Sequence, residues 1–177
     1  MAAGRESFAR RGLRGTSVEE LARAAAISKG AFYRFFDSKE VLLLALLAEY
    51  EEQVHARLEA AVRADPTRGV ALLVEECVHA ADRDPLLPVL MSEEGMRVLA
   101  SLPPAERQEL MDRDVRLVRR VMDILQEVGA APPVPERVLL GLLRSLFFAG
   151  MHRAEIGADL LAETAEWLTD VLGGQRP

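Results

Sequence analysis

Apolar positions along this chain recur every three or four residues almost from end to end. No window holds the strict two-residue alternation of a half-buried strand. The pattern predicts an all-α fold, and capping and breaking residues divide it. A first, short helix runs up to a turn bracketed by Gly12 and Gly15. Ser17-x-x-Glu20 forms a capping box for a second helix to about Ala25, in which Val18, Leu21, Ala22 and Ala25 keep the i, i+3, i+4, i+7 spacing of one buried face. Ser28 is placed to cap a third helix through Phe36, and Asp37 or Ser38 a fourth that reaches about Ala64. Asp65-Pro66 opens a fifth, since proline is tolerated at the first helical position. Asp84-Pro85-Leu86-Leu87-Pro88 interrupts before a sixth, and Pro103-Pro104 starts a long seventh ending at Gly129, about 37 Å at 1.5 Å per residue. After the linker Pro132-Pro133-Val134-Pro135 come an eighth helix to about Arg153 and a ninth from about Ala158 to Leu172. Nine helices are expected, without internal repeats.

The second and third helices stand only two or three residues apart, the layout of a helix-turn-helix. On the third, Phe32 and Phe36 lie at i and i+4 and can bury together, while Lys29, Gly30, Tyr33 and Arg34 project from other faces. A short, basic, aromatic face suits a recognition helix. It offers cations for guanine edges or phosphate, a phenol hydroxyl for phosphate, and small Gly30 and Ala31 for close approach to the groove floor. The same pattern also fits two amphipathic helices on a core, with Tyr33 half buried and Arg34 merely solvated.

Charge distribution sharpens the picture. The 177 residues carry a net charge of −6, which alone would argue against a nucleic-acid partner. Residues 1–40, however, hold eight Lys or Arg against five acids, an excess of three, while the remainder carries 14 basic against 23 acidic residues. A basic head on an acidic body is expected where one segment meets phosphate and the rest stays hydrated. Half of the residues are hydrophobic and 28% charged, a globular composition. One cysteine, Cys77, excludes an internal disulfide framework and a Cys-rich zinc site, as a reducing compartment permits. Charges interrupt the N-terminal run where an export signal needs apolar residues, and Arg144 breaks the most apolar stretch, so a cytoplasmic chain with no membrane association is expected.

Glu52-Gln53-Val54-His55 and Glu76-Cys77-Val78-His79 both spell Glu-x-x-His, the spacing of di-iron carboxylate sites, which would make the chain a helical oxidoreductase. Such a site also requires a lone inward Glu from each of two further helices, and the motifs here sit on consecutive helices. The phosphate-binding and nucleophile-elbow fingerprints are missing, so no catalytic residue, metal or cofactor is assigned.

The run from Gly15 through Thr16, Ser17, Val18, Leu21, Ala22, Ala25, Ala26, Ile27, Ser28, Lys29, Gly30, Ala31, Phe32, Tyr33, Phe36, Ser38, Lys39, Glu40 and Leu42 resembles the DNA-binding signature of TetR-family transcriptional repressors. It covers about residues 5–45. The resemblance implies a helix-turn-helix DNA-binding domain over residues 1–45 and an effector-binding and dimerisation domain over 46–177. It also implies a non-enzymatic, ligand-responsive repressor that holds a palindromic double-stranded DNA operator as a homodimer and is released by a small molecule. By the same resemblance, Thr16 and Ser17 would hold a phosphate, Tyr33 and Lys39 further phosphates, Lys29, Gly30, Ala31, Arg34 and Phe35 fall in the base-reading segment, and Ser28 is counted with them as DNA-binding. The family usually has Gly where this chain has Ala26, and a left-handed Ala there costs roughly 1 kcal/mol. An effector pocket is expected among Met91, Met96, Met111, Met122, Phe148 and His152, for a mainly apolar or weakly cationic ligand. Leu139, Leu142, Leu143, Leu146 and Phe147, with Leu161 and Leu168 on the last helix, form apolar stripes expected at the dimer interface.

Overall fold

The computed structural model describes residues 1–174. Eleven helices follow in chain order: α1 (Ala2–Arg11), α2 (Val18–Ala24), α3 (Lys29–Phe32), α4 (Lys39–Ala64), α5 (Gly69–Arg83), α6 (Leu86–Leu90), α7 (Glu93–Ser101), α8 (Pro104–Glu127), α9 (Glu136–Met151), α10 (Arg153–Ile156) and α11 (Ala158–Leu172). A single 3-10 turn, Pro66–Arg68, precedes α5. Among the described residues there is no strand. Two short helices account for the difference from the nine expected. Stretch 84–88 forms α6 instead of a break: Pro88 falls in its first turn, where a backbone N–H would have no helical partner. The chain also makes one separate turn of helix, α10, between His152 and Gly157.

The described chain resolves into two compact units. The first comprises Met1–Gln53 and Asp84–Pro103, the second Val54–Arg83 and the described residues from Pro104 onward, so α4 contributes residues to both. The three-helix head expected for residues 1–45 therefore shares its unit with α6 and α7, from the span expected to bind effector. The reason is local packing. Leu86, Leu87 and Leu90 of α6 are buried, as is Phe8 of α1, and the Arg5 guanidinium pairs with the buried Asp84 carboxylate. Asp84 Oδ1 in turn accepts from the Leu86 amide at 2.8 Å, so α6 starts where α1 anchors it.

In the second unit the core is built from Leu58, Val62, Leu73, Val74, Val121, Leu125, Leu139 and Leu143, all buried. Helices α5 and α9 approach closely at Gly150. A Cβ there would stand 2.7 Å from the Val78 carbonyl oxygen and 2.9 Å from that of Cys77, so only glycine fits. Glu76 is buried on α5 and its carboxylate is held by Arg57 at 2.6 Å and by Arg83. Without these guanidiniums a buried carboxylate would be costly.

Candidate nucleic-acid interface

The local structure of residues 16–39 follows from capping chemistry. The Ser17 hydroxyl accepts from the Glu20 amide at 3.2 Å, and the Glu20 carboxylate accepts from the Ser17 amide at 2.9 Å, completing the capping box at the start of α2. At the other end, the Ile27 amide donates to the Ala22 carbonyl (2.9 Å) and the Ala26 amide to that of Arg23 (3.1 Å), the paired bonds of a Schellman ending. That ending needs a left-handed residue, and Ala26 supplies it at φ 55°, the one non-glycine with positive φ among the described residues. The Ser28 hydroxyl then caps α3 by accepting from the Ala31 amide at 3.0 Å. Ser28 thus acts by positioning the helix.

The recognition segment is shorter as a helix than its spacing predicts. α3 ends at Phe32, and the Arg34 and Phe35 amides donate to Ala31 and Phe32, three residues back. Tightened turns of this kind are common at helix ends. Phe32 is buried and packs edge-on against the Tyr33 ring and tilted against Phe36. Outward stand Lys29, Gly30, Arg34, Tyr33 (46% exposed) and Phe35 (75% exposed), with Ala31 partly covered. An exposed phenylalanine beside an exposed tyrosine is a surface that water does not favour.

Two residues expected at phosphates are otherwise engaged. Thr16 is buried; its hydroxyl donates to the Gly12 carbonyl at 2.8 Å, with the Ser7 carbonyl at 3.3 Å, so it ties α1 to the turn and offers nothing to a phosphate. The Ser17 hydroxyl and amide are both committed to Glu20, and a phosphate would compete with that carboxylate. Lys39 is half buried, and its Nζ donates to the Leu13 carbonyl (2.8 Å) and the Thr16 carbonyl (2.9 Å). Two of its three ammonium donors thus hold the turn that leads into α2.

Electrostatically the face is partly self-neutralised. Lys29 pairs with Glu19 of α2, which raises the lysine pKa and lowers that of Glu19, and Arg11 pairs with Glu20. Arg34 and Arg23 are exposed, and neither makes an ion pair with another described residue. Arg23 was not signalled by the motif; only its outward place on α2, opposite buried Leu21 and Ala22, identifies it as an available cation.

The remaining expected sites are dispersed. Met91 and Met96 belong to the first unit, Met111, Met122, Phe148 and His152 to the second. Met122 is packed in the core, while Met96, Met111, Phe148 and His152 are exposed. Leu139, Leu143, Leu146 and Leu161 are buried within the chain itself and cannot offer a face to a second copy. Leu142, Phe147 and Leu168 are only partly covered. The exposed apolar positions are instead Val138 and Phe148 on α9 and Leu160 and Trp167 on α11. The helical spacing of the stripe was legible, but the stripe was too wide to say which edge faces inward. The Glu-x-x-His motifs do not converge either. Glu76 is held by guanidiniums, His79 is exposed beside Asp82, and the described residues contain no group of three or more potential metal ligands. Burial raises the Cys77 thiol to about 12, which suits an inert core position. No helix among the described residues is long and apolar enough to cross a membrane.

Residues 1–46 match the family model described as bacterial regulatory proteins, tetR family. Over 184 aligned residues the chain is 29% identical to the HTH-type transcriptional regulator UidR of Escherichia coli K12, covering 97% of this chain and 88% of that one. It is 27% identical over 176 residues to the HTH-type transcriptional repressor KstR2 of Mycolicibacterium smegmatis, covering 94% and 84%. In three dimensions it is similar to FadR from Bacillus subtilis, solved in complex with stearoyl-CoA. The TM-score is 0.65 at 17% identity, over 99% of this chain and 97% of that one.

Proposed function

The chain is a TetR-family transcriptional regulator, and from that premise we propose that it represses transcription by holding a palindromic DNA operator as a homodimer until a small-molecule effector releases it. The observation that carries this is the exposed face of residues 29–35. A capped turn presents Lys29, Gly30, Arg34, Tyr33 and Phe35 together while Phe32 anchors them from below. Arg34 is the cation free to form a bidentate contact with guanine, Tyr33 a phosphate donor, and Phe35 an apolar contact for a thymine methyl. Repression is the activity named for the relative KstR2, and ligand binding that of FadR.

One recognition segment reads few base pairs, and an acidic body weakens a lone copy further; a two-fold axis doubles the site. The second copy docks on Val138, Gly141 and Phe148 of α9 and Leu160 and Trp167 of α11, where Phe148 is 52% and Trp167 50% exposed. Residues 1–45 bind DNA, and effector binding in residues 46–177 acts on them through α4, whose residues both compact units share.

The test combines anisotropy titration on DNA from upstream of the protein's own gene with sedimentation at micromolar concentration. A species of about 39 kDa, twice the 19.5 kDa chain, is expected, with salt-dependent DNA binding. Phe148→Glu and Trp167→Glu are expected to yield folded monomers that lose the operator. A wild-type monomer holding a non-palindromic site at full affinity would refute the dimer.

A further inference from the structure

Residues from four helices of the second unit gather at Asp114. The carboxylate lies on α8. His55 on α4 places Nε2 3.9 Å from its Oδ1, and Arg144 on α9 places Nε 3.9 Å from its Oδ2. Cys77 on α5 is near enough for the Asp114 charge to act on its thiol. Neither neighbouring side chain reaches hydrogen-bond distance. Arg144 spends an N–H on the Met111 carbonyl at 2.9 Å, and further along α8 Arg116 is paired with Glu109 and Arg120 with Glu59. Among the described residues the Asp114 carboxylate accepts no hydrogen bond, although Arg144 and His55 flank it.

The cluster is only partly covered. Desolvation by the protein raises the Asp114 carboxyl and lowers the His55 imidazole, yet half of the Asp114 side chain (50%) still meets solvent. One turn away on α8 stand Leu110 and Met111, and one turn from Arg144 on α9 stand Leu140 and Phe147, none of them buried. An acceptor is therefore set among incompletely covered apolar side chains, the composition of a small-molecule site.

We infer that Asp114, flanked by His55 and Arg144, is the polar anchor of the effector site, and that the effector is an apolar molecule carrying one amine or comparable cationic hydrogen-bond donor. This rests on the ligand-responsive reading above and narrows it. A desolvated carboxylate without a donor is stabilised by a ligand cation that brings its own N–H. An anionic head group would instead meet the Asp114 charge directly, and a purely apolar ligand would leave the carboxylate more desolvated and still without a hydrogen-bond donor.

The test uses calorimetric titration of the full chain with three probes of equal chain length: octylamine, octyltrimethylammonium and octanoate. Octylamine is expected to bind most tightly, octyltrimethylammonium more weakly because it has no N–H, and octanoate least. Asp114→Asn is expected to weaken octylamine at least tenfold, and Asp114→Glu, which keeps the charge, to retain most of the affinity; thermal melts of the ligand-free variants check that both fold. Octanoate binding as tightly as octylamine, an unchanged octylamine affinity in Asp114→Asn, or no heat from any probe would overturn the inference. DNA anisotropy separates this from the regulator reading. Octylamine is expected to lower DNA affinity in the wild type and not in Asp114→Asn. Octylamine bound at Asp114 with DNA affinity unmoved would overturn its role as effector anchor, whereas a free protein that binds no DNA would overturn the regulator reading itself.

Discussion

Replacing Ala26 by glycine tests the geometry on which the recognition segment depends. Ala26 sits at φ 55° because the Schellman bonds from the Ile27 and Ala26 amides require a left-handed residue between α2 and α3. Holding an alanine there costs about 1–2 kcal/mol, because its Cβ crowds the following carbonyl. Glycine removes that cost but returns about 0.4–1 kcal/mol through its larger freedom in the unfolded chain. The net gain for Ala26→Gly is then about 0.5–1 kcal/mol. For a chain of this length each kcal/mol shifts the melting temperature by roughly 2–4 °C, so a rise of about 1–4 °C is expected. Urea unfolding checks it, with the midpoint moving up at constant slope. Ala25→Gly is the control: Ala25 itself lies at φ −86°, where there is no strain to release, and glycine there is expected to lose about 0.5–1 kcal/mol. Two adjacent alanine-to-glycine changes thus have opposite signs. A destabilised Ala26→Gly, or equal shifts for the two variants, would refute the reasoning.

Glu19→Gln frees Lys29 from its ion pair, and is expected to raise non-sequence-specific DNA affinity and to steepen the log–log salt slope by about one; an unchanged slope would mean Lys29 lies off the phosphate path. Lys39→Ala removes the ammonium that holds the Leu13 and Thr16 carbonyls, and is expected to cost about 1–3 kcal/mol in urea unfolding besides any loss of DNA affinity. Gly150→Ala forces α5 and α9 apart and is expected to destabilise by about 1–3 kcal/mol, whereas Gly141→Ala on the same helix, with open space around it, is expected to keep or raise monomer stability.

What was legible in the sequence was what short-range chemistry decides. The capping box of Ser17 and Glu20, the cap at Ser28, the turn containing Ala26 and the buried pair Phe32 and Phe36 all depend on residues within a few positions of one another. The all-α class followed from periodicity alone. Long-range placement was not legible. Thr16 looked like an exposed hydroxyl at a helix start, and only the return of the chain past Ser7 and Gly12 buries it. Lys39 looked like a free cation until two loop carbonyls met it. Helix α6 was hidden because proline reads as a breaker unless its place within a first turn is known. On α9, a stripe of leucines more than one face wide left open which of them the protomer itself would cover. Nothing local announces that four helices meet at the Asp114 carboxylate.

Selection of bound duplexes from a random-sequence pool, run in parallel for the wild type and Arg34→Ala, tests the central claim most directly. For the wild type the account expects enrichment of two inverted half-sites about one helical turn apart. For Arg34→Ala it expects the same spacing with preference relaxed at one position in each half-site, by about 1–3 kcal/mol. A wild-type pool that stays random, or a motif that Arg34→Ala leaves unchanged at every position, would contradict it.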